Sequence, residues 1–93
     1  MVDMPIFMVE RQFADELELD PDGADGINRI NDDVDVRWLY SFLSADKRKT
    51  YCLYEAPSPE AIRLAAARAG LPADVIVEVT ERVLPDASRV PIR

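Results

Sequence analysis

The sequence predicts an α+β fold with its elements in the order β-α-β-β-α-β, on three observations. Runs at 6–13, 34–43, 50–56 and 75–84 are rich in β-branched, aromatic and aliphatic residues at period two, as strands require. Two segments open with helix start signals, Asp20-Pro21 and Ser58-Pro59, and the second closes on Gly70 and Pro72. A short polar stretch, Ser44 to Lys49, joins the middle two strands and makes them an antiparallel hairpin. In about 90 residues that order is the ferredoxin-like pattern, a four-stranded antiparallel sheet with both helices on one face. Residues 1–93 read as a single domain, with a core over 5–84 and an extended tail over 85–93 bracketed by Pro85 and Pro91.

The first strand, Ile6 to Phe13, puts Ile6, Met8 and Glu10 on one face and Phe7, Val9, Arg11 and Phe13 on the other. Glu10 is the odd member. The helix that follows has Asp20 as N-cap and presents Ala24, Ile27 and Ile30, a thin stripe. Gly23 and Gly26 each cost about 1 kcal/mol relative to alanine inside a helix, so this element depends on tertiary contacts. In the second strand Val36, Trp38, Tyr40 and Phe42 alternate with Arg37, Leu39, Ser41 and Leu43, and both faces carry bulk. The third strand sets Cys52 and Tyr54 against Tyr51, Leu53 and Glu55. Ile62, Ala65, Ala66 and Ala69 form the buried stripe of the second helix, and its alanines let it lie close to the sheet. Val75 to Leu84 is the last strand.

Two helices cover one face of a sheet whose other face is also apolar. A bare face of that size exceeds the few hundred Å² a soluble monomer usually exposes, and two-fold pairing of the open faces is the simplest remedy. The expected assembly is therefore a homodimer, closed as a dimeric α/β barrel, with a ligand pocket between the sheets.

Composition removes several function classes. The formal charge is −7, which argues against nucleic-acid binding. The acidity is local: residues 15–35 hold nine acidic side chains against Arg29, so that segment carries −8. It reads as a solvated helix and its flanks. The run from Asp20 fails as a calcium loop, since its fifth and sixth positions are Ala24 and Asp25. No stretch reaches the roughly 20 apolar residues of a membrane span, and the first residues lack a secretory pattern, so the cytoplasm is the expected location. One cysteine, Cys52, offers no disulfide and reads as a packing residue.

The chain has no histidine, no glycine-rich phosphate loop, no Ser-His-Asp set and no Cys-x-x-Cys pair, so a catalytic role is disfavoured. Glu10 is the leading functional candidate, because a carboxylate within an apolar strand must be paired, metal-bound or solvated in a cavity. An ion pair with Arg37, Arg63 or Arg82 is its plain structural role. Trp38, Tyr40, Cys52 and Tyr54 are the other residues that could line a pocket, and Glu55 is a second carboxylate for a metal. The Lys47-Arg48-Lys49 run reads as a charged hairpin tip.

The segments Met8-Val-Glu-Arg11, Trp38-Leu-Tyr-Ser-Phe42, Tyr51-Cys-Leu-Tyr-Glu-Ala-Pro57 and Arg68-Ala-Gly-Leu-Pro72 together resemble a family of small bacterial proteins. That family was once catalogued as a domain of unknown function and is now described as nickel-binding. The match covers most of residues 5–82, is densest over 36–72 and is poor over 14–33. The resemblance implies a ferredoxin-like homodimer, a dimeric α/β barrel, with a divalent metal ion, nickel by family, as its ligand. Many relatives carry histidine where this chain has Tyr40, and again at the position of Ala65. Imidazole is the donor nickel favours, and here both are absent. The expected function is a homodimeric binding protein with Glu10 at its ligand. A cofactor-independent enzyme resembling monooxygenases or isomerases of this architecture, and an interaction module using the acidic segment, are the alternatives.

Overall fold

The computed structural model describes residues 4–92. Strand β1 (Ile6–Gln12) is followed by helix α1 (Pro21–Asp33), strands β2 (Arg37–Leu43) and β3 (Lys49–Glu55), helix α2 (Pro59–Ala69) and strand β4 (Val75–Val79). These strands form one sheet in the order β2-β3-β1-β4, with β1 antiparallel to both β3 and β4 and β2 antiparallel to β3. That is the ferredoxin-like order. The sheet is open, with β2 and β4 at its two edges and no pairing between them, so the expectation of a dimeric α/β barrel is corrected. A barrel needs its edges joined by a ladder.

The end of the chain also differs from expectation. Instead of one long strand and an extended tail, the sheet strand stops at Val79, and β5 (Glu81–Val83) pairs antiparallel with β6 (Arg89–Pro91). The turn between them is built by Asp86, whose carboxylate accepts from the Ser88 amide at 2.9 Å and the Ser88 hydroxyl at 2.6 Å. Those bonds hold the Asp86 carboxyl below the ordinary aspartate range. Pro91 is tolerated because a two-stranded ribbon leaves one side of each strand unpaired.

Both helices are capped as their sequences predict. The Asp20 carboxylate accepts from the Gly23 amide at 2.7 Å, and the Ser58 hydroxyl from the Ala61 amide at 3.3 Å. Gly23 has a reason to lack a side chain, since a Cβ there would meet Asp20 Oδ1 at 3.1 Å and Leu19 Cδ1 at 3.2 Å. Gly70 ends α2 at φ 69°, the left-handed region where glycine carries no Cβ penalty.

The core lies between the sheet and the helices. Phe7, Val9, Val36, Cys52, Tyr54, Ala56, Ile62 and Ala65 are its buried members. In α1 only Asn31 is buried, as its thin stripe predicts, whereas α2 buries Ile62, Ala65 and Ala66.

Strand β2 departs from simple alternation. A bulge at Leu39 shifts the register between Trp38, which faces Tyr54, and Tyr40, which faces Leu53. Trp38 and Ser41 therefore lie on the helix side, and Tyr40 and Phe42 on the open side. The Trp38 indole donates to the Ser41 hydroxyl at 2.8 Å across the bulge.

Candidate functional site

The open face of the sheet is assembled by register. Phe42, Tyr51, Glu10 and Val75 form one row across the four strands, and Tyr40, Leu53, Met8 and Val77 form the next. Tyr40, Phe42, Tyr51, Val75 and Val77 are exposed, Phe42 to 59%, while Leu53 and Ile6 are covered by their neighbours. Tyr40 and Phe42 pack edge to face with ring centroids 5.6 Å apart. Neither helix contributes to this face.

Glu10 lies in the first of those rows and its carboxylate accepts from Lys49 Nζ at 2.7 Å. The partner is thus the first residue of β3, not one of the arginines proposed from sequence. The bond to Glu10 raises the Lys49 ammonium above its ordinary range. Glu55 pairs with Ile6 and Glu10 with Tyr51, a ladder separation of four residues or about 13 Å, so the two carboxylates cannot share an ion within one subunit. Among the described residues no three His, Cys, Asp or Glu side chains are grouped as a metal site needs. Tyr40 and Ala65 also fall apart, one exposed on the open face and the other buried under α2.

The other candidates gather on the helix side. Trp38, Cys52 and Tyr54 line a cavity of about 150 Å³ between the sheet and the segment that precedes α1. Arg11, Thr50 and Ser41 complete its sheet wall, while Phe13, Leu17, Leu19, Ile27 and Leu71 supply an apolar cover. Glu18 stands at its exposed edge. The five residues Glu10, Trp38, Tyr40, Cys52 and Tyr54 therefore occupy two sites rather than one.

The cover is held by the β2–β3 hairpin, which does more than present charge. The Phe13 amide donates to the Arg48 carbonyl at 2.8 Å and the Leu17 amide to the Lys47 carbonyl at 2.7 Å. The Arg48 guanidinium donates to the Ala14 carbonyl. Asp46 shapes the tip by accepting from the Ser44 hydroxyl at 2.6 Å and the Arg48 amide at 3.1 Å, and these bonds lower its pKa.

Arg11 is the residue that sequence reasoning passed over. It is 4% exposed on the helix side of β1, donating through Nη1 to the Pro72 carbonyl and through Nη2 to the Tyr54 hydroxyl at 3.1 Å. Its Nε is buried with no partner. None of the ion pairs among the described residues, Lys49–Glu10, Arg63–Glu60 and Arg89–Glu81, involves it. Burial also raises the pKa of the Tyr54 phenol. The signal was present in the sequence: with Phe7, Val9 and Phe13 on the same parity, Arg11 and not only Glu10 is a charge on an apolar face.

An open ferredoxin-like sheet with capped helices on one side and an apolar cavity beneath them defines a small α+β protein. The chain belongs to the nickel-responsive protein SCO4226-like family, whose pattern matches residues 7–79. It is similar to SCO4226 from Streptomyces coelicolor A3(2), known from a crystal structure: TM-score 0.68, 28% sequence identity, covering 80% of this chain and 94% of that one. No curated protein matches the chain significantly. The family description names a response to nickel. Among the described residues no helix is long and apolar enough to cross a membrane.

Proposed function

We propose that this chain is a non-catalytic, homodimeric binding protein whose two copies stack their open sheet faces. The observation that carries the reading is the bare apolar face of Tyr40, Phe42, Tyr51, Val75 and Val77. Four strands about 4.8 Å apart and some seven residues long give a footprint of roughly 440 Å² per subunit. Accessible area exceeds a footprint because side chains stand off the plane. Two such footprints come to roughly 880 Å², and with the side-chain relief added the buried area approaches the lower end of stable interfaces, about 1,200 Å² in total. A two-fold axis through such a face is self-complementary. The β5–β6 hairpin, with Val83 71% exposed, offers additional apolar surface at the end of β4.

Nickel enters this reading through the family name alone. The chain has no imidazole, its one thiol is buried, and Glu10 is engaged by Lys49. That donor set does not fit nickel, for which nitrogen and sulfur ligands are preferred to isolated carboxylates. Sedimentation equilibrium tests the assembly. A mass of twice 10.5 kDa at micromolar concentration is expected, and a constant 10.5 kDa would end the reading.

A further inference from the structure

We propose that the cavity beneath α1 binds a small monocarboxylic acid, its carboxylate bonded to Arg11 and its hydrocarbon or single-ring body against Leu17, Leu19, Ile27 and Trp38. The inference deepens the binding-protein reading by naming a site and a ligand class. Three observations carry it. Arg11 is a buried cation that no carboxylate among the described residues neutralises, and burying an unpaired charge is costly. Its Nε is a buried donor without an acceptor, an arrangement that native proteins seldom leave unexplained. The cavity beside it has an apolar wall, so a ligand that brings its own acceptor satisfies both halves of the site.

Size and charge narrow the class. A volume of about 150 Å³ matches one benzene ring, which sets the body of the acid at a ring or a short chain. The edge is lined by Glu18 within an acidic segment, so a monoanion is accepted where a di- or triacid is repelled. Guanidinium suits the part because its planar donors match a carboxylate's two oxygens. The nearby Tyr54 hydroxyl, already bonded to Nη2, holds the guanidinium in place. The carboxylate would meet the guanidinium where Arg11 lines the cavity wall.

Trp38 is the chain's one tryptophan and lines the cavity, so its fluorescence reports occupancy. Benzoate and hexanoate, titrated at neutral pH, are expected to give a saturable change below about 10 mM, the range of weak but specific binding. Benzyl alcohol and hexanol, which keep the body and lose the charge, are expected to bind about tenfold or more weakly, as loss of a charge-assisted bond requires. Arg11→Lys, folded by circular dichroism, is expected to lose benzoate affinity by about the same factor, because an ammonium lacks the planar fork. The wild-type comparison of acid with alcohol stands if that variant does not fold. No saturable response to either acid, or equal binding of acids and alcohols, would overturn the proposal and leave Arg11 as a structural strut. A Phe42→Asp variant separates this from the dimer reading. Benzoate binding should persist in it, since the cavity lies on the opposite side of the sheet. Its loss there would put the ligand between the paired faces instead.

Discussion

Phe42→Asp probes the open face at its most exposed aromatic ring. In the isolated subunit Phe42 is 59% exposed, so the substitution removes little that holds one subunit together. A buried aromatic side chain covers about 200 Å², so pairing the faces withdraws roughly 120 Å² of Phe42 from water. At about 25 cal/mol per Å² that is about 3 kcal/mol per subunit, and two-fold symmetry counts it twice. The dimer should therefore weaken by about 6 kcal/mol, a factor of about 10⁴ in dissociation constant, before any cost of burying the new carboxylate. Sedimentation equilibrium across a concentration series measures this directly. The expected result is a wild-type dimer and a variant that is monomeric throughout, with an unchanged far-ultraviolet spectrum. A variant that associates as tightly as the wild type would refute the assignment of this face, whatever the oligomeric state.

Four further outcomes follow from the same geometry. Ser58→Ala removes the acceptor for the Ala61 amide and should lower stability by about 1 kcal/mol in urea unfolding; no change would mean that the cap is replaced by water. Glu10→Gln, measured in the monomeric Phe42→Asp background, should cost less than about 1 kcal/mol, because the pair with Lys49 is about one-third exposed on each side. Isothermal titration with nickel should give no saturable heat at micromolar concentration, and a saturable isotherm would contradict the reading of the donor set. Stability should fall as pH rises past about 10, since the unfolded phenol of Tyr54 ionises before its buried counterpart and the unfolded chain then holds fewer protons. Lys49 acts in the same direction: the stability its bond to Glu10 contributes is present below the ordinary lysine value and is lost as pH climbs through the raised one. Tyr54→Phe should flatten the alkaline decline in urea midpoint, and an equal slope would assign it to other groups.

The parts of the fold that sequence made legible are those where one local rule decides. Alternation placed β1 and β3, and Asp20, Ser58, Pro59 and Gly70 marked the helix ends by hydrogen-bonding chemistry that depends on nearest neighbours alone. The bulge at Leu39 was hidden because Trp38, Leu39 and Tyr40 are bulky on either parity, so the pattern does not reveal which one is unpaired. The terminal hairpin was hidden because Pro85 and Pro91 read as bracketing an extended tail, while the signal for its turn lay in Asp86-Ala87-Ser88.

The candidate site divided for the same reason. Glu10, Tyr40, Trp38, Cys52 and Tyr54 were grouped by residue type, but strand parity and one bulge send the first two to the open face and the others to the cavity. Arg11 escaped notice because Glu10 beside it was the more obvious exception. The cavity's cover depends on three long-range bonds from the β2–β3 tip to residues 13–17, and no local pattern encodes them. The barrel was inferred from covering both sheet faces, which constrains what packs on the sheet but says nothing about joining its edges.

Isotope-filtered nuclear Overhauser spectroscopy on a mixture of labelled and unlabelled protein tests the stacked faces most directly. Intermolecular contacts are expected from Tyr40, Phe42, Tyr51 and Val77, and none from Ile62 or Ala65 beneath α2. Intermolecular contacts confined to the helices, or absent altogether at millimolar concentration, would contradict the account.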